Sequence, residues 1–199
     1  MPASLEFHFD FISPYSYLAS TRLPRLAAEH GVAVSYHPFN LVELMQQVGN
    51  RPTTLECRNK GLYVDADLRR WARLYQVDCA ATPYWPRIDF AELGRGALAA
   101  IDEGRGADYI NAVYAALFGQ PLDLGQRPLL LGVLDRAGFA GVQLLQRAAA
   151  PEYVARLQHN TDAAAQRGVF GSPTLFVGEE MFFGNDRLEF VTGALRAAA

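Results

Sequence analysis

Leu5, Phe7, Phe9 and Phe11 alternate with Glu6, His8 and Asp10, and the run passes without a break into Ser13-Pro14-Tyr15-Ser16-Tyr17-Leu18. The period of two predicts a strand, and Pro14 suits the first turn of a helix because its missing N–H would have had no partner there. Ser13 therefore sits at a strand-to-helix elbow. Unpaired N–H groups and the positive end of the helix dipole converge at such a point and favour a bound anion, whether phosphate, carboxylate or thiolate. A plain N-cap is the other role that serine fills at this position. Position alone leaves both open.

In a thioredoxin-type redox domain the same elbow carries Cys-x-x-Cys, and here Ser13 and Ser16 take the two cysteine places. A protein-borne dithiol is absent. About 160 residues later comes Gly168-Val169-Phe170-Gly171-Ser172-Pro173-Thr174-Leu175-Phe176-Val177, followed by Gly184-Asn185-Asp186-Arg187-Leu188. A thioredoxin fold places a proline, usually cis, at the start of a strand facing the elbow, and Ser172-Pro173 reads as that element. One X-Pro pair among eleven prolines says little alone. Paired with the elbow it says much more.

The chain has 199 residues, half of them hydrophobic, enough for one domain or a domain carrying a large insertion. No apolar run approaches the roughly 20 residues of a membrane span, and the start of the chain lacks a basic segment followed by an apolar run. A soluble, cytoplasmic protein with no membrane partner is expected. Cys57 and Cys79 stand in unrelated segments, so neither a disulfide framework nor a Cys-x-x-Cys metal site is available, and no residue is assigned to a metal. A net charge of −3 and arginines scattered along helices argue against nucleic acid. Lys60 is the single lysine, and taken alone it reads as a surface cation.

Read along its length, the chain predicts a strand near 4–12, a helix near 14–30 bent at Pro24, and a strand over 32–36. From about 41 to 167 the patterns are helical: Leu68, Trp71, Ala72 and Tyr75 recur at i, i+3, i+4, i+7, and 109–118, 129–137 and 153–165 behave alike. Strand signals return at 174–177 and 181–183, and a last helix starts at Asn185 or Asp186. The order is β-α-β, a helical block, then β-β-α. It predicts an α/β fold in which a discontinuous thioredoxin-like domain, residues 1–41 plus 168–199, carries an all-helical insertion over 42–167, the DsbA-like arrangement.

Three stretches carry a resemblance: 9–19, 59–72 (Asn59-Lys60-Gly61-Leu62-Tyr63, then Asp67-Leu68-Arg69-Arg70-Trp71-Ala72), and 169–174 with 183–188. Together they resemble the 2-hydroxychromene-2-carboxylate isomerases, the bacterial branch of the DsbA-like, kappa-class glutathione transferase group. The resemblance spans the whole chain. It implies glutathione as cofactor, whose thiol replaces the absent protein cysteine, with Ser13 donating to the sulfur and favouring thiolate. It also implies that the backbone of Ser172, ahead of Pro173, pairs with the cysteinyl part. Phe183-Gly184-Asn185-Asp186 would receive the γ-glutamyl end, with amides for its carboxylate and the Asp186 carboxylate for its ammonium. The alternative for Asn185 or Asp186 is simple helix capping. Asn50 and Lys60 resemble residues near the glycyl carboxylate.

At the substrate positions the chain departs from its relatives. The nearest match to the family's lysine is Met45, which cannot pair with a carboxylate, and the asparagine-arginine pair that follows is replaced by Thr54-Leu55. Tyr84, in Pro83-Tyr84-Trp85-Pro86, matches the substrate tyrosine, though a core aromatic at a loop would look the same. A less acidic substrate stays open. The resemblance implies a homodimer acting on a small aromatic compound in the breakdown of naphthalene-like hydrocarbons. The reaction would be conversion of 2-hydroxychromene-2-carboxylate to trans-o-hydroxybenzylidenepyruvate by transient thiolate addition. A kappa-type transferase or peroxidase, and a non-catalytic peptide-binding thioredoxin fold, are the alternatives. A Ser-His-Asp hydrolase is disfavoured, since no Gly-x-Ser-x-Gly exists and no motif places His8, His30, His37 or His159.

Overall fold

A computed structural model of the chain describes residues 4–52 and 56–198. Strand β1 (Leu5–Phe9) lies inside a four-stranded sheet of order β2-β1-β3-β4. It pairs in parallel with β2 (Val34–Pro38), from Leu5 opposite Val34 to Phe9 opposite Pro38. On its other side β3 (Thr174–Val177) runs antiparallel, with Leu5 opposite Val177 and His8 opposite Thr174, and β4 (Glu180–Phe183) closes the edge. The two ends of the chain thus meet across β1. That pairing carries Ser172 to the elbow.

Alternation along β1 separates two faces. Phe7 and Phe9 stack at 5.0 Å between ring centroids, Phe11 lies 4.8 Å from Tyr114, and Tyr17 lies 5.9 Å from Phe118. This face continues into the helical block, where Leu93, Ala97, Tyr109 and Leu117 are buried with it. A buried phenylalanine contributes about 1.5–3 kcal/mol, and helices from the block are what cover these rings. The other face carries Glu6 and His8, and beneath it Phe39, Leu44, Ala164, Val169 and Phe176 form a smaller cluster.

The first helical stretch does not bend at Pro24; it stops and starts again. Helix α1 (Pro14–Ser20) ends at Thr21, and α2 (Leu23–His30) begins with Pro24 in its first turn, where no N–H is needed. Gly31, at φ +64°, then ends α2 in the left-handed conformation that glycine adopts without cost. The second strand lies two residues later than expected and the first is shorter. The helical block comprises α3 (Leu41–Gln47), α4 (Arg58–Tyr75), α5 (Phe90–Asp102), α6 (Gly106–Tyr114, closing in a π turn over Ala115–Gly119), α7 (Arg127–Arg136), α8 (Gly141–Ala148) and α9 (Pro151–Gln166). The last helix, α10, spans Leu188–Ala197 and follows a 3₁₀ turn at Asn185–Arg187, so its α-helical start is later than the sequence indicates. Among the described residues no single helix is long and apolar enough to cross a membrane.

Candidate active site at the serine elbow

Ser13 caps α1: its Oγ accepts from the Ser16 amide at 3.3 Å. The same hydroxyl donates to the Ser172 carbonyl at 3.0 Å. The cap uses a lone pair and the donation uses the proton, so capping does not compete with activating an anion. Ser16 Oγ and Ser172 Oγ stand 2.6 Å apart, and Ser172 Oγ accepts from the Asp10 amide at 3.0 Å. Ser172-Pro173 is cis. Ser13 and Ser16, in the two places where a thioredoxin-type redox domain holds sulfur, thus both bond to Ser172. Cys57 and Cys79 are free thiols in different segments, and burial pushes the Cys79 thiol up to about 11, away from thiolate at neutral pH.

Below the elbow, Asp10 is 6% exposed. Its Oδ1 accepts from the Ile12 amide at 2.7 Å and its Oδ2 from the Leu41 amide at 2.8 Å, tying the elbow to the first residue of α3. Burial raises its carboxyl to about 6, against the opposing pull of those two amides. Tyr114 donates to the Asp10 carbonyl at 3.1 Å. The sequence reading did not single out Asp10 as a site residue. The available signal was an acid among phenylalanines, four residues ahead of Pro14, which leads the helix.

On the C-terminal side, the Gly184 amide donates to the Pro173 carbonyl at 3.0 Å. Gly184 has φ +104°, a backbone conformation that L side chains rarely adopt and glycine adopts readily. Asn185 is 3% exposed; its carbonyl accepts from the Tyr75 hydroxyl at 3.2 Å, while its Nδ2 is buried with no partner among the described residues. Asp186 is exposed and pairs with Arg187 at 2.5 Å. Neither Asn185 nor Asp186 caps α10 through its side chain. Beside them runs a groove of about 370 Å³ bounded by Trp71, Tyr75, Arg22 and Leu188.

Phe183 packs its ring 4.6 Å from that of Phe170, both partly exposed, and a Cβ on Gly171 would meet the Phe183 ring at 2.5 Å. Gly171 thus lets an aromatic pair lie against the approach to Ser172. Asn50 Nδ2 donates to the Phe170 carbonyl at 2.7 Å, bringing Asn50 to the same loop. Lys60 lies exposed in the first turn of α4. Two turns further along that helix, Asp67 accepts from Tyr15 at 3.0 Å and from Tyr63 at 3.3 Å, which docks α4 beside the elbow. Of the expected substrate positions, Met45 is half-buried in α3, and Thr54 and Leu55 lie outside the described residues. Tyr84 packs on the large core with the Arg87 guanidinium 5.1 Å from its ring centre.

The chain matches the DSBA-like thioredoxin domain over residues 4–196. It is 35% identical over 199 residues to the 2-hydroxychromene-2-carboxylate isomerase of Pseudomonas putida, with 96% of this chain and 93% of that one covered. The Sphingobium xenophagum protein of the same name is 33% identical over 196 residues, covering 98% and 99%. Human glutathione S-transferase kappa 1 is 26% identical over 216 residues, covering 98% and 92%. A solved structure of 2-hydroxychromene-2-carboxylate isomerase superposes with a TM-score of 0.89 at 31% identity, covering 98% of this chain and 95% of the other. The cytosolic disulfide reductase DsbM of Pseudomonas aeruginosa, solved with GSH, shares the fold at a TM-score of 0.66 and 20% identity, covering 98% and 96%.

Proposed function

The chain belongs to the DSBA-like thioredoxin family and, within it, to the 2-hydroxychromene-2-carboxylate isomerases, and we propose that it catalyses that family's isomerisation with glutathione bound at the serine elbow. The observation that carries the reading is the cluster of Ser13, Ser16 and Ser172 at the head of α1, beside cis Ser172-Pro173, in the place of a protein dithiol. The product is trans-o-hydroxybenzylidenepyruvate, and related intermediates in the breakdown of naphthalene-like aromatics belong to the same substrate class.

The residues present fit the cofactor. Asn185 and Asp186 both line the groove; the buried Asn185 Nδ2 is a donor without a partner among the described residues, and a shift of its side chain would offer it to the γ-glutamyl carboxylate while Asp186 suits the ammonium. Asn50, held at the Phe170 carbonyl, and Lys60 would take the glycyl carboxylate. The chemistry that glutathione supplies is reversible addition of a thiolate to the conjugated side chain, which turns the bond that must rotate into a single bond and leaves the cofactor unconsumed.

Every other task falls to the protein. Ser13, whose O–H now donates to the Ser172 carbonyl, would offer that proton to the cofactor's sulfur. The α1 N-terminus would add its dipole in favour of thiolate. The Ser172 backbone would hold the cysteinyl part. Phe170 and Phe183 offer an apolar wall to a flat aromatic substrate. Met45 leaves the substrate carboxylate without the family's lysine, and Tyr84, Thr54 and Leu55 complete the substrate side of this reading. We read the enzyme as a cytoplasmic homodimer.

The test follows the trans product chromatographically from 2-hydroxychromene-2-carboxylate, with and without glutathione, while total free glutathione is measured. Turnover that requires glutathione and leaves its amount unchanged is expected. A released conjugate would make the protein a kappa-type transferase. No turnover, together with no thermal shift in millimolar glutathione, would overturn both and leave peptide binding at Ser172-Pro173.

A further inference from the structure

On the face of β1 turned away from the phenylalanines, Glu6 and His8 project to one side, and His37 stands directly opposite His8 in the parallel ladder. Three ligand atoms converge there. His8 Nε2 is 3.0 Å from Glu6 Oε2, His37 Nε2 is 3.7 Å from the same oxygen, and all three atoms lie within 4.8 Å of one another. We propose that Glu6, His8 and His37 form a binding site for a divalent transition metal ion of the zinc class, separate from the chemistry of the elbow.

The spacing supports the assignment. Metal–ligand bonds of about 2.0–2.1 Å in a tetrahedron place neighbouring ligand atoms about 3.3–3.4 Å apart, which lies between the two distances to Glu6. The two imidazoles now stack at 4.6 Å with 11° between planes, so their in-plane lone pairs run nearly side by side, and binding requires the rings to turn about their side-chain bonds until both face one ion. Two imidazoles and one carboxylate select zinc, copper or nickel over calcium or magnesium, which prefer oxygen throughout. Ser35 Oγ, 2.9 Å from His37 Nε2, or a water takes the fourth position.

Arg167 is the competitor. Its guanidinium binds Glu6 Oε2 at 2.5 Å and lies 3.8 Å from the centre of the Phe176 ring, at the rim of the site. A carboxylate has a second oxygen, so Arg167 can move to Oε1 while Oε2 ligates the ion, at some cost in affinity from the nearby positive charge. The site would clamp β1 to β2.

The experiment uses the full chain, stripped with chelator and kept free of glutathione, which itself binds metals. It is titrated with Co²⁺ as a spectroscopic probe and with Zn²⁺ by calorimetry. One equivalent should bind, with the strong visible bands of four-coordinate Co²⁺ and without thiolate charge-transfer absorption. His8 is buried and its substitution endangers folding, so the diagnostic variant is His37→Gln, which should lose at least about tenfold in affinity. Arg167→Gln should bind more tightly than the parent. Failure to bind at micromolar metal, a thiolate-type spectrum pointing to Cys57 or Cys79, or unchanged affinity in His37→Gln would each overturn the site. Equal or weaker binding in Arg167→Gln would overturn the shared-carboxylate geometry.

Discussion

The serine elbow and the segment from α3 to the first turns of α4 serve the same candidate reaction, yet they are built differently. At the elbow, Ser13, Ser16 and Asp10 are buried and tied to Ser172 by bonds between residues 156 to 162 positions apart. The described residues of the other segment are mostly exposed, and among them Asn50 bonds to the Phe170 carbonyl in the loop before Ser172. Stabilising a developing thiolate requires donors that are in place beforehand. Holding a substrate requires only a fitting wall. On the proposed reading, the departure from the family at Met45 belongs to the less demanding of these two tasks and the serine elbow to the more demanding one.

The largest break of this contrast is Ser13→Ala. Turnover should drop on the order of ten- to a thousandfold, more than glutathione affinity drops, and the ultraviolet absorbance of bound thiolate at neutral pH should diminish. Parental turnover with an unchanged thiolate titration would leave the hydroxyl as a cap alone. Ser13→Cys should instead give a reactive thiol that forms a mixed disulfide with glutathione, visible by mass spectrometry.

Asp186→Ala comes next, with glutathione binding weakened by about 1.5–3 kcal/mol in calorimetry. Its melting temperature should hardly move, since the Asp186–Arg187 pair is exposed and such pairs contribute little. Equal affinity in variant and parent would remove Asp186 from the cofactor site.

A smaller effect should come from the exposed segment. Met45→Lys restores the family's cation and should raise kcat/KM for 2-hydroxychromene-2-carboxylate by up to about fivefold, the scale of a partly solvated ion pair. A loss instead would mean that the half-buried Met45 packs and does not face substrate.

The last prediction concerns pH and compares the two faces of β1 in metal-free buffer. The Asp10 carboxyl is raised from 3.8 to about 6 in the fold, so between those values the native state holds the extra proton and stability from this group falls as pH rises. His8 is lowered from 6.5 to about 4, so there the unfolded state holds the extra proton and stability rises with pH. The two oppose each other over nearly the same window. Denaturant unfolding of Asp10→Asn at pH 4.5 and 6.5 should show stability increasing with pH more steeply than in the parent. An identical slope would show that Asp10 does not titrate in this range.

Local pattern was enough to recognise the elbow, the strand before it, the helical block and the cis Ser172-Pro173 that faces the elbow. Strand alternation, a proline at a helix start and helical spacing are all properties of neighbouring residues, and the three stretches that resemble the isomerases carried the family with them. Long-range pairing decided the rest. Ser13 meets the Ser172 carbonyl because β1 and β3 pair with Leu5 opposite Val177, a register that no stretch of neighbouring residues encodes. The parallel register of β1 and β2 likewise puts His37 across from His8, although no motif joined them. The first helix breaks at Thr21–Arg22, and Pro24 starts a helix instead of kinking one, because α2 must pack Leu23 and Leu26 into the core. Sequence by itself determined the strand-to-helix elbow with serines in the two cysteine places; the sheet register determined that both Ser13 and Ser16 bond to Ser172, because contacts between residues some 160 positions apart depend on how the whole chain packs.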